Sequence, residues 1–196
     1  MTESLRIAVA EDEPELLDDL DEMLRAMGHQ VVVRAGDGRE LVDRCADADV
    51  QLVVTDVLMP KLDGLEAATE ICKRRPVPVI VVSAYDDEHL VERSLTDHVL
   101  AYLVKPVQPR TLATTIAVVM RRFREFEALH RQCNDLRQAL EDRKIVERAK
   151  GVLMKRTGLD EERAFRRLQE VASRNNHRLV EVARSILTAE QAFDEK

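Results

Sequence analysis

Short apolar runs alternate with amphipathic stretches through the first part of the chain. Residues 5–10, 31–34, 52–55, 77–82 and 101–104 are strand-like, rich in Val, Leu, Ile and Ala. Between them, residues 13–27, 38–48, 65–74 and 87–96 carry apolar side chains at helical spacing. Val79, Ile80, Val81 and Val82 are apolar on both faces of their run, as expected of a parallel-sheet strand covered by helices on either side. The alternation over residues 1–120 predicts an α/β domain, a doubly wound five-stranded parallel sheet. Such sheets carry their sites at the carboxyl ends of strands, so those ends are the places to search for chemistry.

From Pro109 the texture changes. No strand pattern, Pro or Gly appears before Gly151, which predicts one long helix running to about residue 154. Val119, Phe123, Phe126, Leu129, Cys133, Leu136 and Leu140 follow steps of 4, 3, 3, 4, 3 and 4, close to a coiled-coil seam with one irregularity. Such a stripe either pairs with a second copy or packs on the chain's own later helices, and residues 121–142 read as a coiled-coil-like helical linker. Gly158 punctuates, then residues 160–173 and 178–192 read as two more helices. Ile145, Ala149, Val152 and Leu153 form an apolar face. Ala164, Phe165, Leu168, Val171 and Ala172 meet it, followed by Leu179, Val182, Ala183, Ile186 and Leu187. Residues 143–196 are therefore expected to form an all-α three-helix module.

Apolar residues make up 45% of the 196, with no Trp, a composition able to bury a core and unlike that of a disordered chain. No apolar run approaches a membrane span and the first residues lack a basic region followed by an apolar stretch, so a cytoplasmic protein without membrane contact is expected. Cys45, Cys72 and Cys133 are far apart without paired ligands, and are expected as small buried or half-buried apolar residues. His29, His89, His98, His130 and His177 are scattered and expected at the surface. Gly36, Asp37 and Gly38 read as a turn, and no Gly-rich phosphate loop is present.

The net charge of −7 hides an asymmetry. Residues 1–120 hold 12 Lys and Arg against 23 Asp and Glu, whereas the remaining 76 hold 18 against 14. The stretch 143–178 alone holds 11 basic against 5 acidic residues, a balance of +6. One part can hold cations and the other can meet a polyanion.

Glu11 and Asp12 follow the first strand, Asp56 the third, Ser83 the fourth and Lys105 the fifth. The fold would bring them together. Three close carboxylates repel one another, and Mg2+, a hard cation that takes oxygen ligands, resolves the repulsion. A carboxylate so placed can attack phosphorus, with Lys105 and Ser83 offsetting charge on the transferred oxygens. Taken singly, each residue has a plainer reading. The acidic pair suits a helix N-terminus, Asp56 a strand-end cap, Ser83 a turn and Lys105 a solvated charge.

The segments AEDEP, VVTDVLMPKLDG, VIVVSAYDD and AYLVKP resemble those of response-regulator receiver domains, over roughly residues 3–120. The resemblance implies a sensor histidine kinase as partner and Asp56 as phosphoacceptor. It implies Mg2+ on Asp12, Asp56 and the Leu58 backbone carbonyl, with Glu11 assisting through water. Ser83 and Tyr102 would be a switch pair, Ser83 contacting the phosphoryl group, and the Lys105–Pro106 bond would be cis. Glu11 stands where the family more often has Asp. Leu58 offers no polar side chain to orient a hydrolytic water, so a long-lived phosphoryl group is expected. The same residue argues against a phosphohydrolase, which commonly carries a second acid at that position, so no turnover of an external substrate is expected.

The segment from Leu136 to Leu187, with its AKGVLM core and GLDEERAF turn, resembles the ANTAR domain of transcription antitermination regulators. The resemblance implies binding of structured RNA, a hairpin in a nascent transcript. Arg143, Lys144, Arg148, Lys150, Lys155, Arg156, Arg174 and Arg178 would offset phosphates, and Asn175 and Asn176 could reach base edges. On charge alone the same residues could be a solvated face, and an output module that binds DNA or a protein is the competing reading. No helix-turn-helix pattern is evident. Homodimer formation on phosphorylation is expected from the seam.

Overall fold

The structure, a computed structural model, describes residues 4–84 and 99–194; the helical pattern at 87–96, His89 and His98 lie outside them. Strands β1 (Arg6–Ala10), β2 (Gln30–Ala35), β3 (Leu52–Asp56), β4 (Val79–Ser83) and β5 (Val99–Val104) form one sheet in the order β2-β1-β3-β4-β5. All pairings are parallel. Strand order therefore reverses between β1 and β3, which opens a crevice at their carboxyl ends.

Helices α1 (Pro14–Ala26), α2 (Gly38–Asp47) and α3 (Gly64–Arg74) follow the first three strands, and α4 runs from Pro109 to Thr157. Pro14 opens α1 where a missing N–H costs nothing. Asp37 and Asp63 cap α2 and α3, accepting from Glu40 N at 2.8 Å and Glu66 N at 2.7 Å, each cap contributing about 1 kcal/mol. The two faces of the sheet carry separate cores. Ala8, Ala10, Val53, Val79 and Val81 pack with Leu41, Leu65 and Ile71 of α2 and α3. Ile7, Val9, Val54, Ile80 and Val82 pack with Leu20 and Leu24 of α1 and with Leu112, Ile116 and Val119 of α4. β3 and β4 are buried at every position, as their uninterrupted apolar pattern requires.

The chain divides into two compact units, Met1–Glu127 and Ala128–Lys196. In the second, the end of α4 packs with α5 (Glu161–Asn175) and α6 (Leu179–Asp194). Its buried core is Val146, Ala149, Leu168, Ala172, Val182 and Ala183, with Ile145, Leu153, Phe165, Leu179 and Ile186 half-buried around it. Val146 takes the inward position expected of Val152, which is half-buried outside that core. α5 ends on Asn176 in the left-handed region, φ 53°, with His177 N donating back to Ala172 O at 3.0 Å.

Two surface expectations fail. Cys133 is exposed, as is every residue of α4 from 131 to 140. His29 is buried, because its Nδ1 accepts from Leu5 N at 3.3 Å at the start of β1. The apolar seam is uncovered beyond Phe123: Leu129, Leu136 and Leu140 are 66%, 67% and 58% exposed, so the chain's own later helices do not cover it. Among the described residues, no helix is long and apolar enough to cross a membrane.

Candidate functional site

The β1/β3 crevice gathers the residues expected there. Glu11 leaves β1 fully buried, its backbone N–H donating to Ala35 O at 3.1 Å. Asp56 ends β3 with its Oδ1 accepting from Val57 N at 2.5 Å and Leu58 N at 3.3 Å. Lys105 follows β5, tied by its own N–H to Ser83 O at 2.8 Å, and the bond to Pro106 is cis. Its ammonium donates to Asp56 Oδ2 at 2.6 Å and to Glu11 Oε1 at 2.9 Å. Burial alone would lower Lys105, but its bonds to Asp56 and Glu11 outweigh that and hold it above the ordinary lysine value. Burial raises the Glu11 carboxyl; the bond from Lys105 offsets this in part, and the charge of Asp56 adds to it.

Asp12 is exposed, with carboxylate oxygens of Glu11, Asp12 and Asp56 lying within 4.8 Å of one another. Lys105 Nζ lies 2.9 Å from Glu11 Oε1 and 2.8 Å from Oε2, so one ammonium faces both oxygens of this buried carboxylate. Three converging carboxylates exceed what a single ammonium neutralises, so this donor set fits a hard divalent cation. Ser83 is fully buried at the end of β4, and Tyr102 of β5 is half-buried against the α2/α3 core. Leu58 is 53% exposed two residues past Asp56.

Two features around this crevice are not apparent from residue spacing. Lys61, with φ 66°, donates to Asp37 Oδ2 at 2.6 Å, linking the loop after Asp56 to the N-cap of α2. Asp37 is held below the ordinary carboxylate range, chiefly by that bond. Gly64 N donates to Val57 O at 2.9 Å, and a Cβ on Gly64 would meet Asp56 O at 1.8 Å, so only glycine lets α3 start against the strand end. The Asp63–Gly64 pair was the available signal.

In the second unit Arg143, Arg148, Lys155 and Arg174 are exposed and have no ion-pair partner among the described residues. Lys144 pairs with Glu141 at 2.7 Å, Arg156 with Glu190 at 2.7 Å and Arg178 with Glu181 at 3.2 Å. Asn175 and Asn176 are exposed at the α5 C-terminus. Lys150 departs from the expected basic face. Its side chain is 9% exposed, donates to Glu161 Oε1 at 2.8 Å, lies 2.7 Å from Glu147 Oε2 and sits 6.0 Å over the Phe165 ring. Those carboxylates raise the ammonium above the ordinary value, Glu147 first. Packing of α4 on α5 commits this lysine within the chain.

The response regulator receiver domain profile matches residues 7–117, and the ANTAR domain profile residues 134–187. The transcriptional regulatory protein PdtaR of Mycobacterium tuberculosis is 41% identical over 182 residues, spanning 93% of this chain and 89% of that protein. Response regulator RR06 of Streptococcus pneumoniae is 30% identical over 127 residues, 65% of this chain and 58% of its own. Receiver domain structures from Clostridium thermocellum and Methanospirillum hungatei, each 26% identical, superpose with TM-scores of 0.57 and 0.58. They cover 62% and 63% of this chain and 98% of theirs.

Proposed function

The chain belongs to the response regulators that carry a receiver domain and an ANTAR domain, and from that premise we propose that phosphorylation of Asp56 controls binding of a structured RNA by the C-terminal helices. The observation that carries this reading is the meeting of Glu11, Asp12 and Asp56 with Lys105 at the β1/β3 switch point, in a chain whose last helices expose Arg143, Arg148, Lys155 and Arg174, none with an ion-pair partner among the described residues. Residues 1–120 form the receiver, 121–142 the linker and 143–196 the output module.

A sensor histidine kinase supplies the phosphoryl group. An Asp56 carboxylate oxygen forms the new bond to phosphorus as the phosphorus–nitrogen bond of phosphohistidine breaks, and the imidazole leaves. Asp12, Asp56 and the Leu58 carbonyl, with Glu11 through water, would hold Mg2+, which would offset charge on the transferred oxygens. Lys105 moves from Asp56 to a phosphoryl oxygen, the Ser83 hydroxyl donates to another, and Tyr102 repacks as Ser83 shifts. Leu58 presents no group to orient a hydrolytic water, so the phosphorylated state persists. The output module then holds a hairpin in the nascent transcript and prevents termination. Its phosphate contacts come from Arg143, Lys144, Arg148, Lys155, Arg156, Arg174 and Arg178, with Asn175 and Asn176 at the bases.

The test exposes the full chain to Mg2+ and a small acyl phosphate, reads intact mass, and then measures retention of RNA hairpins. The wild type gains one acid-labile phosphoryl group and retains more RNA. Asp56→Asn gains neither. Equal labelling of the Asn variant would remove Asp56 from its role.

A further inference from the structure

Gly151 lies inside α4, at a position where glycine is among the least favourable helix residues. Nothing among the described residues calls for it. Its φ is not left-handed, it is exposed, and a Cβ built on it meets no atom within 4 Å. Gly64 shows the contrast, since there a Cβ collides with the Asp56 carbonyl. A helix that gives up propensity without an internal reason leaves its bare backbone available to something outside the chain.

Its neighbours indicate what that is. Lys144, Arg148, Gly151 and Lys155 are spaced by 4, 3 and 4 residues, so they form one exposed stripe, while Ile145, Val146, Ala149 and Leu153 face the core. The flank around Lys150 has the opposite character: Glu147, Glu161 and Glu162 line an open hollow there, and a phosphate would be repelled. The carboxylate nearest Gly151 along the helix is Glu147, four residues before it and held by Lys150 at 2.7 Å, while Glu141 at the far end of the stripe pairs with Lys144 in an exposed ion pair that competes weakly.

We propose that Gly151 is the contact notch of the RNA-binding face: the sugar–phosphate backbone of a structured RNA lies against the bare turn at Gly151, with phosphates on Arg148 and Lys155 to either side. This rests on the RNA-binding reading above. A second copy of the chain could also use a glycine for close helix approach, but a symmetric pair would set the cationic stripe against itself. A polyanion is the complementary occupant.

Full-length wild type, Gly151→Ala, Gly151→Leu, Arg148→Ala and Lys155→Ala are titrated with a pool of RNA hairpins bearing randomised loops at several salt concentrations, and each is melted by circular dichroism. Gly151→Ala is expected to melt at or above the wild-type temperature, because alanine is the better helix former. It should nevertheless bind at least about tenfold more weakly, as when phosphate contacts on both sides are displaced, with Gly151→Leu weaker still. Arg148→Ala and Lys155→Ala should each lower the slope of log K against log salt by about one. Wild type that binds none of the pool would overturn the RNA reading itself. Wild-type binding with equal affinity in Gly151→Ala would overturn the notch alone. A Gly151→Ala variant whose sedimentation changes while its RNA affinity does not would give the notch to a second copy and equally overturn the proposal.

Discussion

The Lys105 ammonium donates to Asp56 Oδ2 across 2.6 Å, and the same group serves the fully buried carboxylate of Glu11. One cation thus keeps two carboxylates tolerable in a crevice that excludes most water. Removing one partner of a buried ion pair strands the other, a cost of about 3 kcal/mol. Lys105→Ala is therefore expected to lower stability by about that amount in chelator, read as a shift of the urea midpoint. Mg2+ should narrow the gap, because a cation bound to the native carboxylates stabilises only the folded state. An unchanged midpoint in chelator would show that the ammonium does not compensate them.

Burial lowers the His29 imidazole, and its Nδ1 must stay unprotonated to accept the Leu5 N–H. In the unfolded chain the ring takes up a proton near its ordinary value of about 6.5. Just below that value the unfolded state binds a proton that the native state refuses, so stability falls as pH falls. The contribution is fully present above about 6.5 and is lost toward the lower folded value. Urea midpoints at pH 7 and at mildly acidic pH should drop more for wild type than for His29→Gln, which keeps an acceptor but does not titrate. Equal drops would assign the pH dependence to the carboxylates instead.

Position in the chain is what made the crevice legible. Glu11, Asp12, Asp56, Ser83 and Lys105 each sit just at or after the end of an apolar run, and a parallel sheet aligns those ends whatever the details of packing. Pairings between distant side chains were not legible in this way. Lys61 and Asp37 are 24 residues apart, as are His29 and Leu5, and no periodicity links them. Lys150 carries the same charge as Arg148, two residues earlier, yet only the packing of α5 brings Glu161 to it and withdraws it from the surface. A charge count finds the basic stretch; which cations remain available depends on the carboxylates that the fold delivers.

The seam of α4 changes character at Phe123, which is buried, whereas Phe126, Leu129, Leu136 and Leu140 are 47%, 66%, 67% and 58% exposed. Fully burying a leucine stabilises by about 1.5–3 kcal/mol, so three mostly exposed leucines per chain represent a substantial driving force for pairing. A parallel pair in register would also bring the exposed Cys133 against its twin. Sedimentation is expected to show self-association that rises when the acyl phosphate donor is added, and Leu136→Glu should suppress it by setting like charges across the seam. A mild oxidant should then cross-link wild type through Cys133, visible on a non-reducing gel, and should fail with Cys133→Ser. A chain that sediments as a monomer at high concentration, with and without phosphodonor, would leave the seam without a second copy. Self-association without the Cys133 cross-link would make the pair antiparallel or out of register.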